Sequence, residues 1–204
     1  MANYPTSYAT FRKQQEIEKD STVRTRLYRF AYRYRLAKSF QAIKADGIGK
    51  TLVGYSAMMK LYLAYSAYDE LVTVARDIKV LKISKVWQNH VVEGNLAARL
   101  RKSEKLKNYL INFSIDIGLQ AALKDMYDGK TDNIAQVCGA IRHLFAHGDI
   151  TPTPIGLNKA KERKLFFDLA EGLLAHCDKL FTKIVNPKII VVKVKKPSKK
   201  IVKP

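Results

Sequence analysis

The segment Arg142-His143-Leu144-Phe145-Ala146-His147-Gly148 places an arginine, two histidines and a glycine within seven residues. A guanidinium can hold a phosphate through a two-pronged fork, and an imidazole can give or take a proton near neutral pH. Together they are the groups that metal-free cleavage of RNA requires, with Arg142 on the phosphate and His147 and His143 as the candidate proton carriers. Their spacing sets a condition. On an ideal helix Arg142 and His147 lie about 140° apart, whereas His143 and His147 lie about 40° apart. Convergence of Arg142 and His147 on one phosphate therefore needs a distorted last turn or a second chain across a twofold axis, and a homodimer is expected.

Each residue also has a structural alternative. A histidine at a helix C-terminus is a favourable partner for the helix dipole, which would account for His143. Arg142 could pair with Asp69 or Glu70, a contact that would also orient it for function; these two acids, being neighbours, point about 100° apart on a helix. His143 and His147 at i,i+4, with Asp149 nearby, have the spacing of a metal pair. No glutamate follows His143 as in the His-Glu-x-x-His hydrolases, so no metal is expected. There is no phosphate-binding glycine-rich loop and no serine nucleophile elbow, so no cofactor is expected either. His90 and His176 read as surface or helix-edge residues.

The elements that must position these groups are helical. Val23, Leu27, Phe30, Tyr34 and Ala37 recur at helical spacing and predict a helix over about 23–45, ended by Asp46-Gly47-Ile48-Gly49. Residues 51–79 are apolar around most of a helix, the pattern of a central, buried element. Helical segments are predicted over about 85–103 and 104–127, with a turn at Asp128-Gly129-Lys130. Asp132 is the expected N-cap of a helix over 133–147, and Gly148 the expected left-handed residue that ends it. Thr151-Pro152-Thr153-Pro154 cannot continue a helix; Asn158 then caps a final helix to about Val185, with Leu165, Leu169, Leu173 and Leu180 among its inward residues. The expected architecture is all-α: an N-terminal arm over 1–20, one helical domain over 21–185 and a lysine-rich, flexible tail over 186–204.

Charge narrows the class of partner. Thirty-seven Lys and Arg oppose eighteen Asp and Glu, a formal net charge of +19, which predicts attraction to polyanions and above all to nucleic acid. Arg26, Arg29 and Arg33 form one stripe of the first helix beside Tyr32, a pattern suited to an RNA groove and equally to a solvated helix face. The longest apolar stretch is interrupted by Asp69 and Glu70, so membrane insertion is not expected. Met1-Ala2-Asn3-Tyr4-Pro5 does not open a charged-then-apolar leader, and Cys138 and Cys177 sit inside helical patterns as small hydrophobes; a cytoplasmic location is expected.

Cys138-Gly139-Ala140-Ile141-Arg142-His143-Leu144-Phe145-Ala146-His147-Gly148 resembles the Arg-x4-His signature of HEPN-domain proteins, an all-helical family rich in metal-independent ribonucleases, toxins and RNA-defence effectors. Leu63-Ala64-Tyr65-Ser66-Ala67-Tyr68-Asp69-Glu70 is similar to the family's early core helix, in which an apolar run ends in an acid. Family members often carry Asn or Asp after the motif arginine, where this chain has His143. The resemblance implies a HEPN-like bundle and an endoribonuclease that leaves a 2′,3′-cyclic phosphate and a 5′-hydroxyl, with a toxin or defence role and an antitoxin protein as a further partner. The alternative is a non-catalytic helical RNA-binding or adaptor protein that keeps the basic surfaces alone.

The tail gives a direct test of the charge argument. Residues 188–204 hold seven lysines and no acid, so deleting residues 187–204 should flatten the fall of single-stranded RNA affinity with salt concentration. An unchanged slope in a salt titration would deny the tail that role.

Overall fold

The computed structural model describes residues 3–14, 21–46, 49, 51–77, 94–113 and 117–185. Among them the chain is all-helical, with eight helices and no strand: α1 Tyr8–Lys13, α2 Ser21–Ser39, α3 Thr51–Asp77, α4 Gly94–Arg101, α5 Glu104–Phe113, α6 Ile117–Tyr127, α7 Ile134–Ala146 and α8 Ala160–Val185. The lysine-rich segment 186–204 lies outside the described residues, as do 78–93.

α3 is the axis of the molecule. Its long apolar circumference is covered by α2 along one side, α8 along another and α7 on a third. Leu61, Ala64, Ala67 and Leu71 are fully buried there, and the alanines let the neighbouring helices approach closely. The inward leucines of α8, Leu165, Leu169, Leu173 and Leu180, are buried at the positions their spacing predicts.

α8 begins at Ala160, two residues after the expected cap Asn158, and three further boundaries differ from those the sequence predicts. α2 ends at Ser39, because the buried amine of Lys60 on α3 takes the backbone carbonyls of Lys38 and Phe40 at 3.4 and 3.3 Å and closes that helix end. The same amine lies 3.3 Å from Glu171 Oε1. Burial opposes ionisation of Glu171, but the hydrogen bond and charge of Lys38, with Lys60 beside it, hold its carboxyl below the usual glutamate range. The segment expected as one helix over 104–127 is two, α5 and α6. Leu110 and Leu123 are both buried, yet on a single straight helix they would lie about 140° apart, so one rod could not bury both against the same core.

The third difference is at the N-terminus, where the expected polar arm carries a docked helix. Asp178 of α8 accepts hydrogen bonds from the Thr6 backbone N–H and hydroxyl, both at 2.6 Å, and thereby fixes the start of α1. Tyr8 and Phe11, one turn apart on α1, are buried, and the Phe11 ring packs edge-on against Tyr28 and Phe181 at 5.0 and 5.7 Å. Two aromatic anchors in six residues were the signal that the overall polarity of this segment masked.

Docking of α1 predicts a large stability effect where a free arm would give none. Phe11→Ala should destabilise the fold by about 3–5 kcal/mol in urea unfolding, the cost of emptying a buried phenylalanine site. A change within about 0.5 kcal/mol would mean that the N-terminal helix does not contribute to the core.

Candidate active site

α7 carries the Arg-x4-His segment, and its sequence fixes both its ends. The N-cap is Asn133, whose side-chain oxygen accepts from the Ala135 N–H at 3.2 Å; it is not Asp132, the expected cap one residue earlier. The Asp132 carboxylate is taken by Arg101 of α4, which leaves the amide of the next residue to cap the helix. At the other end Gly148 has φ +78°, the left-handed conformation predicted for it. Its N–H donates to the Phe145 carbonyl at 3.2 Å, and the Asp149 N–H to that of Leu144 at 2.9 Å, which is a Schellman closure.

That closure decides where the histidines stand. His147 is the C-cap and retains helical backbone angles, φ −90° and ψ −3°. The His143 and His147 rings therefore meet one turn apart on the same exposed side, with centroids 4.5 Å apart and planes inclined at 55°. The last turn is not distorted in the way that would swing His147 towards Arg142 of its own chain. Among the described residues, no group of three His, Cys, Asp or Glu side chains is placed to hold a metal ion.

Arg142 turns instead towards α3. Its guanidinium carbon lies 5.9 Å from the centre of the Tyr62 ring, a cation–π arrangement, and Tyr62 in turn meets Phe145 edge-on at 6.0 Å. Arg142 Nε is buried and has no hydrogen-bond partner. The guanidinium is thus held by an aromatic face, and no carboxylate among the described residues forms an ion pair with it. The expected orienting contacts with Asp69 and Glu70 are not formed. Glu70 is paired with Arg33 of α2 at 3.0 Å, and Asp69 is exposed.

Tyr65 completes this corner, and nothing in the motif pointed to it. Burial, with the nearby Asp69 and Cys138, pushes its phenol up to about 12, against the opposite pull of Arg142 and Arg76. Cys138 itself is fully buried and burial raises its thiol far above the ordinary range, which makes it a core residue without nucleophilic use.

The basic stripe of α2 reaches the same part of α3. Arg29 and Tyr32 are exposed, Arg26 is half-buried, and Arg33 divides itself between Glu70 and the Ser66 carbonyl at 3.3 Å. Arg142 at Tyr62 and Arg33 at Glu70 thus contact α3 within about 12 Å of helix. A separate cleft of about 390 Å³ opens between α2, α4 and α8, lined by Lys38, Asn95, Arg99, Asp168, Glu171 and Ala175. Its charges neutralise one another, Lys38 with Glu171 and Arg99 with Asp168, so it offers no spare cation for a phosphate.

Close packing at Gly139 holds Tyr65 against α7. A Cβ at this position would stand 2.8 Å from the Tyr65 hydroxyl oxygen and 3.2 Å from the ring carbon that bears it. Gly139→Ala should therefore destabilise by about 1–3 kcal/mol through overpacking, although alanine favours a helix over glycine by about 1 kcal/mol. The cost should shrink in a Tyr65→Phe background, which removes the nearest atom. Stabilisation by Gly139→Ala in thermal unfolding would contradict this packing.

No family model, curated protein or solved structure matches this chain, so its functional reading rests on the residues themselves.

Proposed function

We propose that this chain is a metal-independent endoribonuclease of HEPN-like architecture, whose catalytic groups are Arg142, His147 and His143. One observation carries the reading: two exposed imidazoles 4.5 Å apart stand at a helix end, next in sequence to a guanidinium that rests on an aromatic ring instead of pairing with an acid. Arg142 holds the scissile phosphate and stabilises charge growing on its oxygens. His147 takes the proton of the ribose 2′-hydroxyl, whose oxygen attacks phosphorus while the bond to the 5′-oxygen breaks. A second imidazole gives that oxygen its proton. The products are a 2′,3′-cyclic phosphate and a 5′-hydroxyl, and DNA is spared for want of the attacking group.

The arrangement argues for two chains. Entering and leaving oxygens lie roughly in line through phosphorus, on opposite sides, and imidazoles 4.5 Å apart on one helix face approach from one side only. Arg142 also faces α3 and not the histidines of its own chain. A twofold homodimer with the ends of α7 opposed supplies the missing side and sets the arginine of one chain against the histidine of the other. The exposed Arg29 and Tyr32, with Arg26 and Arg33, would guide the strand. Such an enzyme fits a toxin or defence role and calls for a neutralising protein partner. A non-catalytic RNA-binding role uses the same charge of +19 and becomes the reading if the chemistry is absent.

His147→Ala and Arg142→Lys should each lower RNA cleavage by roughly 10²-fold or more while leaving the thermal unfolding midpoint nearly unchanged. Wild-type cleavage should persist in EDTA, yield cyclic phosphate ends and spare DNA, and the protein should sediment as a dimer at micromolar concentration. Absence of cleavage over varied RNAs, or full activity in both variants, would transfer the protein to the RNA-binding class.

A further inference from the structure

An aromatic stack stands beside the end of α7, on α5. The Tyr109 and Phe113 rings lie nearly parallel, 20° apart in plane with centroids at 4.4 Å. Tyr109 is half-buried, and its hydroxyl donates a hydrogen bond to the backbone carbonyl of Asp149, two residues after His147 and within the turn that closes α7. Phe113 is 51% exposed, although it is a large apolar side chain with one ring face already covered by Tyr109. A phenylalanine held flat and half in water, stacked on a tyrosine that is bonded to the turn after His147, has a surface that a planar, uncharged group would cover.

We infer that the Tyr109–Phe113 stack is a nucleobase platform, on which a base of single-stranded RNA next to the cleaved phosphate stacks against Phe113. This rests on the ribonuclease reading and adds to it a substrate form: an unpaired strand, since a base within a duplex is already stacked on both faces and cannot offer one to the ring. The surroundings favour a base over an extended protein partner. On α5 itself the other exposed apolar residue, Ile111, lies about 160° around the helix from Phe113, so those two do not form one continuous apolar face, and the exposed Ile117 belongs to the next helix. The chain's charge of +19 brings a polyanion to this surface, and a base delivered with its phosphate meets both the ring and the histidine end of α7. The Tyr109 hydrogen bond ties the stack to the turn that follows His147. The platform therefore reads ring area and not base identity, and purines should be held better than pyrimidines.

The test uses strands that cannot be cleaved, so that binding is measured apart from chemistry. Wild type should bind a 2′-O-methyl oligoadenylate about tenfold more tightly than an abasic sugar-phosphate strand of equal length, the scale of one base stacked on an aromatic side chain. Phe113→Ala should lose that preference, binding the oligoadenylate about tenfold more weakly while leaving abasic-strand affinity and the salt slope unchanged. Phe113→Leu should behave like the alanine variant, and Phe113→Trp should retain the preference. Equal weakening towards both strands, or no change towards either, overturns the platform. So does an altered sedimentation behaviour of Phe113→Ala with RNA affinity intact, which would assign the ring to contact with a second copy. A wild type that cleaves RNA but whose affinity ignores Phe113 overturns the platform alone; one that binds neither strand overturns the ribonuclease reading with it.

Discussion

α3 constrains everything else. A helix that is apolar around most of its circumference can exist in water only if other helices cover it on several sides, and α2, α7 and α8 do so. Its fully buried alanines, Ala57, Ala64 and Ala67, set how near those helices come. Once α7 lies along this surface, its Ile141 and Leu144 are committed to the core, and the intervening positions are assigned by helical geometry. Arg142 is directed towards Tyr62, while His143 and His147 are left in solvent. The placement of the candidate chemistry is a consequence of burying α3.

The same geometry divides that chemistry. The Schellman closure at Gly148 keeps His147 in register with His143, so the two imidazoles face one side, and the arginine that precedes them faces another way. A single chain thus presents the candidate phosphate-holding group and the candidate proton-transfer groups at separate places on one short helix. Two chains that oppose their α7 ends would bring each arginine to the other's histidines, which makes the dimer a requirement of the proposed chemistry and not an addition to it.

Much of the fold was legible in the sequence because helical burial leaves a period. The apolar residues of 51–79 marked a central helix and the leucines of the last helix marked its buried face, and Gly148 predicted its own left-handed turn. Less legible was whatever depends on tertiary competition between equivalent groups. Asp132 and Asn133 are both good caps, and only the presence of Arg101 beside Asp132 decides between them. Glu70 was an expected partner of Arg142, and the packing of α2 against α3 gave it to Arg33 instead. Tyr62, Tyr65 and Tyr109 entered the site unannounced, since a tyrosine at helical spacing reads as core until its neighbours are known. The docked α1 was hidden because its two aromatic anchors sit in a polar context, and their partners, Phe181 and Asp178, lie at the far end of the chain.

The central claim is that Arg142 of one chain works with His147 of another in cutting RNA. The most direct measurement mixes two variants that are each inactive alone, Arg142→Ala and His147→Ala, allows the subunits to exchange, and follows RNA cleavage in EDTA. A heterodimer would contain one composite site with Arg142 and His143 from the His147→Ala chain facing His147 from the Arg142→Ala chain, so with His143 as the second proton carrier the account predicts that activity returns on mixing. A mixture that exchanges subunits and stays as inactive as its components would contradict it.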